Sequence, residues 1–225
     1  MWLVPSAAGL VATAFAVSLI RSHRVRPRLA LVLWAIALGM YAVGSFAVGA
    51  GALRGFDATT FRIYWAFGAV LNVPFLAAGE LDLLAASRRT TLILFGLLFV
   101  VTAITLARTW GAPIETAALA GGLPSGREVF GQASLAYRLP RLISTPAYAV
   151  LVAGTLWSAW RMRGAPDLRG RFVGTLWIAG GATVIAGFGS AFAALGALLP
   201  FSVAILLGVI AMFLGFRRAV RPSTA

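Results

Sequence analysis

Seven long apolar runs, separated by short polar segments, make up most of this 225-residue chain. Each run is long enough to cross a hydrocarbon core of roughly 30 Å as a helix rising about 1.5 Å per residue. A helix also satisfies its own backbone hydrogen bonds, which lipid cannot do. The pattern therefore predicts an all-α membrane bundle with spans at about 2–20, 30–53, 61–84, 91–108, 142–160, 172–195 and 199–216.

These spans and their turns use nearly the whole chain, so we expect a single domain covering residues 1–225. The composition agrees, since 60% of the residues are hydrophobic and the mean hydropathy is +0.92. Values this high lie outside the range of soluble globular proteins.

The net charge of +13 comes from nineteen basic residues, all of them arginine, which stand almost entirely at the ends of the apolar runs. That placement predicts a membrane topology signal and not a nucleic-acid surface. The absence of lysine excludes a retinal Schiff base, and the absence of cysteine excludes thiol chemistry.

The arginine distribution also predicts orientation. With the N-terminus outside, thirteen arginines fall in cytoplasmic segments and six on the outer side. Arginines near span ends set orientation through the positive-inside rule. We therefore expect an outer N-terminus and a cytoplasmic C-terminus in a cell membrane.

The connection at 109–141 is too long for a tight turn. Pro113 and Glu115 predict the start of a short helix, and Gly121 and Gly122 predict its end. The segment is either a lid over the outer mouth of the bundle or a surface crossing without a ligand, and the commonness of long loops that merely connect favours the crossing.

The third span holds a narrow stripe of small and polar residues. On a helix, Gly68, Asn72 and Gly79 fall within about 40° of one another, which favours contact with a neighbouring helix. Pro74 removes the amide that would bond the carbonyl of Val70 and predicts a kink. Asn72 and that carbonyl either bind a ligand or ion in a cavity, or they pack against a neighbouring helix.

Glu80 and Asp82 follow in the same span but do not form a carboxylate pair, since residues two apart on a helix point about 160° away from each other. Both lie near the cytoplasmic edge, where Arg88 or Arg89 could meet them. Glu80 is the deeper of the two, so it is either a proton or cation site or half of a structural ion pair.

The remaining polar residues offer no catalytic pattern. His23 is the single histidine, with no second ligand for a metal, and the serines have no partner base. We therefore predict no cofactor and no metal site, and a membrane-embedded enzyme is the least favoured of three functional classes because no acid/base residues converge. Small residues in the last two spans, including Gly208 and Gly215, predict close helix packing. The tryptophans predict an aromatic belt.

The first and fifth spans show a loose similarity, each opening near a proline and ending in a basic loop. With the fourth span between them, a 3+1+3 parallel repeat of the kind found in small sugar transporters would show this pattern. Any two Gly- and Ala-rich spans with a proline at the outer end would share part of it, and the third and seventh spans do not agree.

The third span, RIYWAFGAVLNVPFLAAGELDLL, resembles an uncharacterised family of bacterial seven-span integral membrane proteins. An aromatic pair, a Gly-Ala, a central proline and a late glycine carry the resemblance, here Tyr64, Trp65, Gly68, Ala69, Pro74 and Gly79. The architecture is also distantly similar to the seven-span sensor regions of histidine kinases. Glu80 and Asp82 depart from the family pattern.

Two functions follow as hypotheses. The first is a receptor- or sensor-like bundle that binds a small apolar or lipid ligand, or a membrane-protein partner, between its helices. The second is a small-solute or proton-coupled transporter that uses Asn72 and Glu80. The lipid bilayer is the expected surrounding partner in either case, and nucleic acid is not expected.

Overall fold

The computed structural model describes residues 1–85 and 87–220. Its seven long helices are each long and apolar enough to cross a membrane. They are α1 Leu3–Val25, α2 Leu29–Arg54, α3 Ala58–Leu84, α4 Arg88–Gly111, α5 Leu135–Met162, α6 Arg169–Ala194 and α7 Leu198–Val220. The predicted all-α seven-helix fold is confirmed, and the chain is a multi-pass membrane protein.

Local sequence explains where several of these helices start and stop. Asp57 accepts a hydrogen bond from the backbone amide of Thr60 at 2.8 Å and so caps the first turn of α3. Ser87 does the same for α4 through the amide of Thr90, at 3.1 Å. Helix α2 ends at Gly55, whose φ of +88° is a conformation that glycine adopts without steric strain.

Three of the helices contain π-helical turns, at Tyr64–Leu71 in α3, Pro140–Ser144 in α5 and Ile185–Gly189 in α6. In α3 the π-helical turns end shortly before Pro74, and in α5 they end shortly before Pro146. A proline cannot donate a backbone hydrogen bond, so the preceding carbonyls are free to adopt another pattern. Both segments therefore place backbone carbonyls where a neighbouring side chain can reach them.

Six helices form a closed ring in the order α1, α2, α3, α5, α6, α7, with α7 packed back against α1. Helix α4 lies outside this ring, against α3 and the start of α5. The apolar side chains that meet at the centre of the ring are Phe15, Trp34, Leu38, Leu76, Leu151, Ile178 and Met212.

Glycines allow a close helix contact between α6 and α7. A Cβ atom on Gly174 would lie 2.5 Å from the carbonyl oxygen of Gly215, and one on Gly181 would lie 2.5 Å from that of Gly208. The two antiparallel backbones can therefore touch at two levels because neither helix has a side chain there.

Residues 112–134 fold against one end of the bundle, which we call the loop end. In place of the short helix predicted from Pro113 to Gly121, a single 3₁₀ turn covers Thr116–Leu119 after Glu115, and a short α-helix covers Gly126–Phe130. Phe130 is buried beside Trp65, with ring centroids 5.7 Å apart. The segment thus closes the loop end with buried apolar side chains.

The tryptophans do not all belong to an aromatic belt. Trp34 and Trp65 are buried in the bundle. The indole nitrogen of Trp34 donates to the carbonyl of Leu76 at 3.0 Å, and that of Trp65 donates to the carbonyl of Ala136 at 2.9 Å. The belt prediction is wrong for these two because it did not anticipate backbone acceptors within the bundle.

Candidate functional site

The small residues of α3 face α2. A Cβ atom on Gly44 of α2 would lie 2.6 Å from the Cα atom of Gly68, so the two backbones cross there. Farther along α3, beyond Pro74, Gly79 faces Trp34, and a Cβ atom on Gly79 would overlap the indole ring. The stripe that the sequence places on one face of α3 is therefore a packing surface for α2.

Asn72 is buried within the bundle, with 4% of its surface exposed. Its side-chain nitrogen donates to the carbonyl of Gly68, one turn earlier in the same helix, at 3.0 Å. Its side-chain oxygen is buried and has no hydrogen-bond partner among the residues that the structure describes. Asn72 thus bonds to its own helix and keeps one acceptor for a further group.

Pro74 has no backbone amide to donate to the carbonyl of Val70, but that carbonyl accepts a hydrogen bond from another helix. The hydroxyl of Ser144, on α5, lies 3.0 Å from the carbonyl oxygen of Val70 and 3.0 Å from that of Ala69, and donates to them. Ser144 therefore supplies the donor that proline lacks. The freed carbonyl does not face an open cavity, which removes one basis for an ion site at this position.

Glu80 is buried between α3 and α5, with 2% of its surface exposed. The hydroxyl of Ser158 donates to its Oε1 atom at 3.3 Å. Gly154, one turn before Ser158, makes room for the side chain, because a Cβ atom there would lie 2.6 Å from the Cγ atom of Glu80. Within residues 1–85 and 87–220, Glu80 forms no ion pair with an arginine.

Asp82 faces another neighbour. Its Oδ2 atom accepts a hydrogen bond from the backbone amide of Ala30 at 3.1 Å. Ala30 lies in the first turn of α2, where the residue before the helix, Arg28, provides no side-chain cap. Asp82 therefore caps α2 from α3, and its negative charge lies at the positive end of the α2 dipole.

The four candidate positions thus lie in separate environments. Asn72 bonds within α3, Glu80 bonds to α5, and Asp82 bonds to the N-terminus of α2, while Ser144 compensates for Pro74. The centre of the ring is lined only by apolar side chains, and the space between them is too narrow for a water molecule. The described residues do not bring Asn72 and Glu80 together in a polar cavity there.

At the loop end, Arg62 and Asp57 have structural roles. The guanidinium of Arg62 donates to the carbonyls of Thr109 and Ala112 at 3.1 and 2.9 Å, which satisfies the end of α4.

Hydrogen bonds from the amide and hydroxyl of Thr60 hold the pKa of Asp57 below its ordinary value. An open depression of about 430 Å³ lies beside Asp57 and Gly121.

Sequence reasoning missed Ser144, Ser158 and Gly154 as partners of the candidate residues. Each is a small or polar residue within or beside an apolar run, which marks it as a packing residue but does not identify its partner. In the described parts of the chain, no group of three His, Asp or Glu residues lies close enough to hold a metal ion.

The arrangement therefore consists of an apolar centre, a buried carboxylate beside it and a buried amide with a free acceptor. Comparison of the chain with protein-family models, with curated protein sequences and with solved structures gives no match.

Proposed function

We propose that this protein is a receptor- or sensor-like bundle of the bacterial cytoplasmic membrane that binds a small apolar or lipid ligand between its helices. The apolar centre of the six-helix ring carries this proposal. Every ring helix contributes a side chain to it, while α4 contributes none. A ligand that enters there contacts all six ring helices at once, so its binding can change their relative positions.

The chemistry of the centre defines the class of ligand. The lining side chains, including Phe15, Leu76 and Met212, present no free hydrogen-bonding group, since the indole nitrogen of Trp34 is bonded to Leu76. An apolar ligand avoids the desolvation penalty that a polar one would meet at this place. Methionine and leucine side chains can change rotamer, which lets a closed apolar centre open around a ligand.

The experiment uses a photoreactive diazirine fatty acid with the purified protein in lipid nanodiscs. We expect crosslinks on the central residues Leu76, Leu151 and Met212 that excess unlabelled fatty acid suppresses. In Leu151→Trp, which adds a larger side chain to the closely packed centre, these crosslinks should fall strongly. The matched control Leu97→Trp, at an exposed position of α4, should leave them unchanged. Crosslinks confined to lipid-facing residues of α4, unaffected by competitor, would contradict the proposal.

A transporter is the second candidate function, and the burial of Glu80 favours it. A carboxylate within a membrane span that is bonded to a hydroxyl and to no described cation is a common feature of proton and ion pathways. In this alternative, Glu80 and the free acceptor of Asn72 line the route of a small solute or proton.

Proton flux into vesicles separates the two functions. Under the receptor proposal, wild type and Glu80→Gln show equally low flux. Glu128→Gln, which removes an exposed carboxylate of the loop end, is the matched control. Flux in wild type and Glu128→Gln that Glu80→Gln abolishes would overturn the receptor proposal and establish transport.

The orientation of the chain in the membrane is part of the same proposal. The arginine excess favours a cytoplasmic location for the end of the bundle that contains both the α1–α2 turn and the end of α7. A reporter that is active only inside the cell, fused at the C-terminus, should therefore be active. Activity of an export-dependent reporter at the same position would reverse the orientation.

A further inference from the structure

One end of the bundle carries a dense positive surface, which we call the arginine end. It contains the α1–α2, α3–α4 and α5–α6 connections and the last turn of α7. Twelve arginines of this end are all exposed: Arg21, Arg24, Arg26, Arg28, Arg88, Arg89, Arg161, Arg163, Arg169, Arg171, Arg217 and Arg218. The acidic residues there are few. Asp82 is bonded to Ala30, Asp167 lies in the α5–α6 connection, and Glu80 is buried.

Packing of α6 against α7 concentrates part of this charge. A Cβ atom on Gly170 would lie 3.7 Å from the carbonyl oxygen of Arg218, so the first turn of α6 touches the last turns of α7. Gly170 lies between Arg169 and Arg171, and Arg217 is adjacent to Arg218. Four exposed arginines therefore lie beside one close contact between the backbones of α6 and α7.

Helix α1 extends the same surface. The ring of Phe15 stacks on that of Phe213 with centroids 5.0 Å apart and contacts that of Phe216 at 5.4 Å. This contact fixes the position of α1 relative to α7 along the bundle axis. Arg21 and Arg24 follow Phe15 by roughly 9 to 14 Å along the axis, so they lie at the same end as the α6–α7 group.

Exposed apolar side chains lie directly below these arginines. Ile20 on α1, Trp177 on α6 and Leu214 on α7 each expose nearly half of their surface. The surface therefore has a charged band above an apolar band, with both bands formed by the same three helices. A free anion would use the first band alone, whereas a phospholipid would use both.

We propose that the arginines at the ends of α1, α6 and α7 bind the phosphate of an anionic phospholipid headgroup, whose acyl chains lie along Ile20, Trp177 and Leu214. A guanidinium donates two parallel hydrogen bonds to a phosphate, which an ammonium group does not do. Anionic lipids also give the membrane surface a negative potential, which attracts the arginines. This site is separate from the apolar centre and does not depend on ligand binding there.

The experiment titrates phosphatidylglycerol or phosphatidylcholine into the detergent-solubilised full chain. Thermal unfolding measures the stabilisation by each lipid, and native mass spectrometry measures the lipid that the protein retains. We expect phosphatidylglycerol to bind with higher affinity. The triple variant Arg169→Gln/Arg171→Gln/Arg218→Gln should bind it on the order of a hundredfold more weakly, since each arginine contributes roughly a fivefold factor at an anionic surface. The matched triple variant Arg54→Gln/Arg108→Gln/Arg141→Gln removes three exposed arginines of the loop end and should keep wild-type affinity.

Equal loss in both triple variants, or equal affinity for phosphatidylcholine, would overturn the proposal. Inorganic phosphate should not reproduce the stabilisation, and if it does, the site binds free phosphate and not lipid. A second measurement on the wild-type chain avoids dependence on the folding of any variant. A photoreactive phosphatidylglycerol should crosslink to the ends of α1, α6 and α7. Crosslinks at the loop end in their place would contradict the assignment.

Discussion

The hydroxyl oxygen of Ser144 lies 3.0 Å from the carbonyl oxygen of Val70, the carbonyl that loses its amide partner to Pro74. A side chain of α5 thus completes the backbone hydrogen bonding of α3. Ser144 belongs to the π-helical turns of α5, and Val70 to those of α3, and the two irregular segments are packed against each other. The helix breaker in α3 is therefore part of an interhelical contact.

Replacing Ser144 by alanine should destabilise the protein by about 1–3 kcal/mol, because it removes a buried hydroxyl that donates to the carbonyls of Ala69 and Val70. The loss should be smaller in a Pro74→Ala background, where residue 74 regains an amide. Ser202→Ala is the matched control, since that buried hydroxyl donates to Leu198 in its own helix. Unfolding in detergent measures all of these variants, and an equal loss in both backgrounds would contradict the compensation.

The α6–α7 contact allows a comparison of two adjacent glycines. Gly181→Ala should cost about 1–3 kcal/mol, since its methyl group would meet the carbonyl of Gly208. Gly180 is exposed, and a Cβ atom there would have no neighbouring atom within 4 Å. Gly180→Ala should therefore be neutral, or stabilising by up to about 1 kcal/mol. Thermal unfolding compares the two, and similar melting temperatures would argue against a backbone contact at Gly181.

Asp82→Ala should destabilise the protein by about 0.5–2 kcal/mol through loss of the α2 cap, and Asp82→Asn by less because the amide oxygen still accepts. Hydrogen exchange of the peptide that covers residues 29–34 should be faster in Asp82→Ala. Glu128→Ala, at an exposed acidic residue of the loop end, is the control. Unchanged exchange at the start of α2 would show that Asp82 does not cap it.

We expect Asp57 to give the folding stability of the protein a small dependence on pH. The hydrogen bonds from Thr60 hold the pKa of Asp57 below its ordinary value in the folded protein. The stabilisation is therefore fully present above the ordinary pKa of aspartate and is lost as pH falls through the lower, folded-state pKa. Relative to Asp57→Asn, wild type should gain stability between acidic and neutral pH. A difference in melting temperature that does not vary with pH would contradict this assignment.

Sequence reasoning predicted part of the candidate site. Helical spacing correctly separated Glu80 from Asp82, which bond to α5 and α2 respectively. It also placed Gly68 and Gly79 on one face, where α2 packs. The partners Ser144, Ser158 and Ala30 lie from 52 to 78 residues away along the chain. Local periodicity carries no information about contacts at that separation.

The sequence by itself determined the seven helices, because backbone hydrogen bonding in lipid leaves a long apolar run no other stable conformation. It also determined the concentration of arginine at one end of the bundle. Only the tertiary structure decided that α4 lies outside the ring and that Trp34 and Trp65 lie inside. The physical reason is that lipid and helix interfaces are both apolar, so hydrophobicity alone cannot distinguish a lipid-facing residue from one that packs against a neighbouring helix.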